Sequence, residues 1–224
     1  MVRNAYDTQI EEVECDVIKM GNLCIESLEK SVEAFLKSDK ESAKKIREGD
    51  NTIDLMEMEI EEKCVLIMAL QQPVASDLRR LLTVLKIISK LEKIGDNSSK
   101  ISKITLKSNT KMYEDSKIIN EMVEYLKSML MDVLKAYREK DEKLAREVYK
   151  RDKKIDKLFE VLYNKMISHI IKNPDHTPKA TEIIFVGKYL ERTGNLIASI
   201  GDRIVYMITG ERIKEEEFEF KHFE

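Results

Sequence analysis

The chain repeats itself. Asp50-x-x-Ile53-Asp54 returns 102 residues later as Asp152-x-x-Ile155-Asp156, and Glu41-x-Ala43-x-x-Ile46 returns at the same offset as Lys143-x-Ala145-x-x-Val148. Further along, Leu91-Glu92-Lys93-Ile94-Gly95-Asp96 aligns with Leu190-Glu191-Arg192-Thr193-Gly194-Asn195 at an offset of 99. A turn shortened by three residues in the second half accounts for the change. Glycine is disfavoured inside helices, so a recurring E-x-x-G-[D/N] is hard to obtain from generic heptads. The chain therefore reads as one unit of about 100 residues built twice, which excludes most folds at once.

Each unit is helical. With 7 glycines, 3 prolines, no tryptophan and 6% aromatic residues, the chain lacks the turn residues and strand formers of a β-sandwich or barrel. Helix-period patterning runs from about Asn4 to Leu36, and Ser38-Asp39 with Glu41 then forms a capping signal. A second run reaches about Leu70 and stops at Gln71-Gln72-Pro73. A third opens after Ala75, with Ser76-Asp77 as its cap, and ends near Lys107 before Ser108-Asn109-Thr110. A fourth ends near Tyr137, and a fifth extends from about Lys140 to Asn173-Pro174. The sixth starts around Pro178 and closes at Gly210. The predicted fold is all-α: two tandem three-helix bundles over 1–109 and 110–214, with an acidic, aromatic tail over 215–224 that reads as disordered.

Composition removes several function classes. The 39 basic and 42 acidic side chains leave a net charge of −3, so no sequence-wide attraction to nucleic acid is expected. No apolar run reaches the length of a membrane span, and the N-terminus shows no apolar signal region. Cys15, Cys24 and Cys64 are odd in number and form no C-x-x-C pair, as expected of a reducing, cytoplasmic setting. No phosphate-binding glycine loop and no Ser/His/Asp arrangement is present. His169 and His176 flank the second turn and His222 lies in the tail, where surface roles are the simplest reading.

Acidic residues stand out because they interrupt apolar faces. On a helical wheel Glu92 continues the stripe of Leu81, Leu85 and Ile88, and Asp96 follows one turn later. In the second unit Glu191 takes the place of Glu92 and Asn195 that of Asp96, while Asp202 returns to nearly the same angle as Glu191. The short turns at Pro73 and Pro174 make the flanking helices antiparallel neighbours. That arrangement sets Asp50 and Asp54 opposite Asp96 and Glu92, and Asp152 and Asp156 opposite Asn195 and Glu191. Like charges so placed repel by about 1 kcal/mol per close pair even with water-like screening. Lys93, Lys100, Lys153 and Lys154 are near enough in sequence to neutralise them, and a hard cation would do so better. Oxygen-only donors suit Mg, Ca, Mn or ferric iron, whereas zinc prefers histidine or thiolate. The Glu-x-x-His pairs of oxygen-activating di-iron bundles are absent.

Pro73-x-Ala75-x-Asp77-Leu78-Arg79, Leu91-Glu92-x-x-Gly95-Asp96, Tyr189-Leu190-Glu191-Arg192-x-Gly194-Asn195 and the closing Ile204-Val205-Tyr206-x-x-x-Gly210 resemble the PhoU family. The resemblance covers nearly the whole chain. It implies a non-enzymatic, cytosolic negative regulator that links a phosphate ABC transporter, through its ATPase, to a sensor histidine kinase, and a homodimer is expected. It also implies E/D-x-x-x-D motifs that bind multinuclear iron or other metals, here Glu92 with Asp96 and Glu191 with Asn195. Asn195 departs from the acidic pattern, so the second site would lean on Asp156 and Asp202. Two rivals remain open: a metal-dependent hydrolase or oxidase on the same carboxylates, and a metal-free helical scaffold that dimerises.

Overall fold

The computed structural model describes residues 2–108 and 117–213, with side chains from residue 8 onward. Its helices are α1 (Val2–Lys37), α2 (Lys40–Gln71), α3 (Ala75–Lys107), α4 (Lys117–Glu139), α5 (Glu142–Lys150), α6 (Asp152–Lys172) and α7 (Thr177–Thr209). A single 3-10 turn, Pro174–His176, precedes α7. Helices α1, α2 and α3 form one bundle, and α4, α5–α6 and α7 form its repeat. The expected tail at 215–224 lies outside the described residues.

The duplication is visible in single hydrogen bonds. Ser38 and Lys140, 102 positions apart, both adopt left-handed backbone angles, φ 56° and 55°. After them the Asp39 amide donates to the Ala34 carbonyl (2.8 Å), and the Asp141 amide to that of Ala136 (3.0 Å). This pattern satisfies carbonyls that a helix end leaves open. Asp39 then caps α2 by accepting from the Glu41 and Ser42 amides, and Asp141 caps α5 by accepting from Leu144.

The structure departs from expectation at two helix boundaries. Helix α3 starts at Ala75 after Val74, which offers no side-chain cap, so Ser76 and Asp77 lie inside the first turn rather than before it. There the Asp77 charge favours the positive helix end. The fifth predicted helix breaks at Arg151, where Arg151 N donates to Val148 O (3.0 Å) and Lys154 N to Arg151 O (3.2 Å). Three-residue spacing of these bonds tightens the helix locally. The Arg151 side chain holds the break against α4, donating to Ser128 Oγ (2.8 Å), pairing with Asp132 and lying 4.9 Å over the Tyr125 ring. Its counterpart in the first unit is Gly49, and α2 runs on without interruption.

Side chains fully withdrawn from water line every helix contact, among them Phe35, Ile60, Leu91, Tyr137 and Leu190. Helices α3 and α7 pack against each other and form the seam between the two units. In that seam Asn97, 5% exposed, donates from Nδ2 to Thr193 Oγ1 at 3.2 Å. At the edge of the same joint, Lys127 of α4 pairs with Glu29 of α1 at 2.7 Å.

Candidate functional site

The proline turns set the register of the acidic residues. Gly95 lies against Ile53, where an added Cβ would meet Ile53 Cδ1 at 2.9 Å. Gly194 lies against Ile155 in the same way, with Ile155 Cγ2 at 3.1 Å. Each glycine sits one residue before Asp96 or Asn195, and each isoleucine one residue before Asp54 or Asp156. The helices thus cross closely at the place where the acids were expected to face one another.

In the first unit that juxtaposition produces an acidic patch along α2 and α3. Asp50 is half-buried, and its Oδ1 has no hydrogen-bond partner. This oxygen sits over Gly95, only 3.3 Å from where a Cβ would be, so any larger residue at 95 would crowd it. Burial raises the Asp50 carboxyl above its ordinary range, and Asp54 and Asp96 push it further, against a hydrogen bond from Ser99. Glu92 is raised by burial and by Glu57, Asp96 and Asp54, with Lys93 in opposition. Glu57 is raised by burial, Glu61 and Asp54. The mutual effects join Asp50, Asp54, Glu57, Glu92 and Asp96 into one electrostatic group. Lys100 holds Asp96 at 2.8 Å, leaving the rest short of positive charge.

Glu57 belongs to this group although it lies outside the motif positions. Its signal in the sequence is spacing: it follows Asp50 by two turns and faces Ser89 across the α2–α3 contact.

The second unit is built alike and charged differently. Asp156 is raised by burial and then by Asp152 and Glu191, which brings those three together. Glu191 is already engaged twice, by Lys188 at 2.8 Å and by the Asn195 amide, which donates to its Oε1 at 3.1 Å. Asn195 therefore acts as a donor to the neighbouring carboxylate. Lys154 points to Glu121 at 3.5 Å instead of to the acids. Asp202 stands apart. It is 4% exposed, accepts from Arg212 Nε (2.6 Å) and from the Ile213 amide (3.0 Å), and so ties the segment after α7 to the bundle.

By donor chemistry the first patch fits a hard cation: its ligands are all oxygens, one buried oxygen is orphaned, and like charges raise two of the carboxyls most enclosed by it. Among the described residues no three His, Cys, Asp or Glu side chains converge on one point as a ready-made metal cage. Capture would require the outer carboxylates to rotate inward. The second patch fits less well: Glu191 Oε2 is also buried without a hydrogen bond, but Lys188 supplies its countercharge and the Asn195 amide occupies Oε1.

The architecture matches known proteins closely. The PhoU domain model matches residues 17–105 and again 119–204, two spans displaced by the same offsets as the internal repeat. A Clostridium acetobutylicum protein described as a phosphate-specific transport system accessory protein PhoU homolog is 34% identical over 215 residues, covering 95% of this chain and 98% of its own. The crystal structure of the phosphate transport system regulatory protein PhoU from Streptococcus pneumoniae aligns with a TM-score of 0.87 at 29% identity, covering 94% of this chain and all of that one. PhoU from Pseudomonas aeruginosa gives the same score at 27% identity, covering 92% of this chain. This chain, with its two matched units, belongs to the PhoU family.

Proposed function

We propose that this chain is a cytosolic, non-enzymatic negative regulator of phosphate uptake and phosphate-starvation signalling. It acts by binding the ATPase of a phosphate ABC transporter and a sensor histidine kinase, and it assembles as a homodimer. The observation that carries this reading is the doubled PhoU domain over nearly the full chain, shared with proteins named as accessory to, or regulatory of, phosphate transport. A binding role also suits the surface, where Leu55, Met58, Leu66 and Leu70 of α2 are exposed. No helix among the described residues is long and apolar enough to cross a membrane, and all three cysteines are free.

In this reading the carboxylates serve a cation. Asp50, Asp54, Glu57, Glu92 and Asp96 would hold it on the first unit, and Asp152, Asp156, Glu191 and Asn195 more weakly on the second. Multinuclear iron is the first choice, with Mn, Mg or Ca as others of suitable hardness. Such an ion supplies positive charge where the first patch is short of it.

Affinity capture from native cells at high and low phosphate tests the regulator. Recovery of transporter ATPase and kinase, with derepressed phosphate uptake on deletion, is expected. Absence of both partners together with an unchanged phosphate response refutes it. The lack of a converged cage and the Lys100–Asp96 pair favour a second reading, a metal-free regulator. Elemental analysis of protein purified without chelator separates the two, and metal that survives Glu92→Gln with Asp96→Asn would rule out the first patch.

A further inference from the structure

A groove of about 540 Å³ runs along the outer side of α3, between α2 and α7. Its α2 wall carries Glu57 and Glu61, and its other side carries Thr83 and Lys86 of α3 with Arg203 of α7. Two polar atoms in that lining are buried and lack any hydrogen-bond partner: Thr83 Oγ1 and Arg203 Nε. Each is unusual. Thr105, Thr193 and Thr209 all donate to the carbonyl one turn back, as helical threonines commonly do. Thr83, only 2% exposed, does not. An unmatched buried donor costs about 1–3 kcal/mol, so two of them on one groove call for an acceptor.

The charges permit one. Arg203 makes no ion pair among the described residues, while Arg212 beyond it is held by Asp202. Lys86 likewise makes no ion pair among the described residues. Lys86 and Arg203 equal Glu57 and Glu61 in number, so an anion would be held there by the unmatched donors and not by net charge.

We infer that this groove binds a tetrahedral oxyanion, with Arg203 Nε–H and the Thr83 hydroxyl as donors and Lys86 as the countercharge. The ion is either free inorganic phosphate or the phosphoryl group of a small organic phosphate, for which the groove has room. The site shares its Glu57 wall with the first carboxylate patch but takes a ligand of the opposite charge, and it does not depend on the regulatory role.

The test is an NMR titration of the full-length protein that follows the arginine Nε–H resonances and, so that variants at position 203 can be read, the backbone amides of Thr83, Lys86 and Tyr206. Inorganic phosphate and adenosine monophosphate are each added to about 20 mM, well above a millimolar Kd, with sodium chloride matched for ionic strength. Saturable shifts at Arg203 are expected from at least one of the two. Response to both, or to phosphate alone, identifies the free ion as sufficient, and response to the monophosphate alone identifies an organic phosphate. Arg203→Gln and Thr83→Val should each weaken binding about tenfold or more. Arg146→Gln, on the far side of α5, should leave it unchanged. Arg203→Lys keeps the charge and loses the Nε donor, so it provides the same test if the glutamine variant is poorly folded. No shift with either ligand, equal shifts with chloride, or unaltered affinity in both Arg203→Lys and Thr83→Val overturns the assignment.

Discussion

Replacing Asp50 with asparagine should stabilise the protein at neutral pH, and the gain should vanish in acid. In the folded chain burial lifts the Asp50 carboxyl above its ordinary value of 3.8, with Asp54 and Asp96 adding to it. A carboxyl raised by folding holds its proton more tightly in the native state than in the unfolded one. Ionising it as pH climbs above 3.8 therefore weakens the fold, and the loss is complete once pH passes the folded value. Below 3.8 both states are protonated and the loss is absent. With water-like screening each like-charged neighbour contributes up to about 1 kcal/mol, and less beyond close contact, so Asp50→Asn should gain about 1 kcal/mol, or 2–4 °C in Tm for a chain of this size. Thermal unfolding followed by circular dichroism at about pH 7 and about pH 3 measures both arms. Manganese provides a third: at a hundredfold excess over Kd it should stabilise the unaltered protein by about 2.7 kcal/mol and Asp50→Asn by clearly less. A variant less stable than the parent at pH 7, or equally improved at pH 3, refutes the electrostatic reasoning.

Other substitutions probe the packing. Gly201→Ala would set its Cβ 2.7 Å from the Ala145 carbonyl oxygen, a backbone atom that cannot step aside, and should cost about 2–3 kcal/mol in chemical denaturation. Gly49→Ala, with open space around it, should gain about 0.5–1 kcal/mol in the same assay. Tyr137 is fully buried with an unpartnered hydroxyl, so Tyr137→Phe should be neutral or stabilising by up to about 1 kcal/mol; a clear loss of Tm would reveal a missed partner. Asp202→Ala removes the acceptor of Arg212 and Ile213, should cost about 2 kcal/mol, and should speed tryptic cleavage after Arg212.

What could be read from sequence was whatever depends on local pattern. Long apolar stripes with few glycines and prolines specify rods, and the repeated motif specifies that they come in two equal sets. The two proline turns were enough to bring Ile53 onto Gly95 and Ile155 onto Gly194, because a short antiparallel connection leaves little freedom of register. The break at Arg151 was not legible, since it depends on Tyr125, Ser128 and Asp132 from another helix. Asp202 shows the same limit: its angle on α7 matches that of Glu191, yet Arg212 and Ile213 claim its oxygens. Glu57 carries no motif signature, and Lys188, the principal partner of Glu191, lies outside the motif positions too. The groove beside α3 was not legible at all, because unmatched donors become visible only when every neighbour is placed.

The amide of Asn97 reaching the Thr193 hydroxyl has a mechanical corollary. Sliding one bundle along the other by a single turn would break that bond and leave a buried amide without its acceptor. Such a tether resists shear far more than it resists separation. The halves should therefore melt together as a single cooperative block, and a twist imposed on one should be passed to the other without slippage.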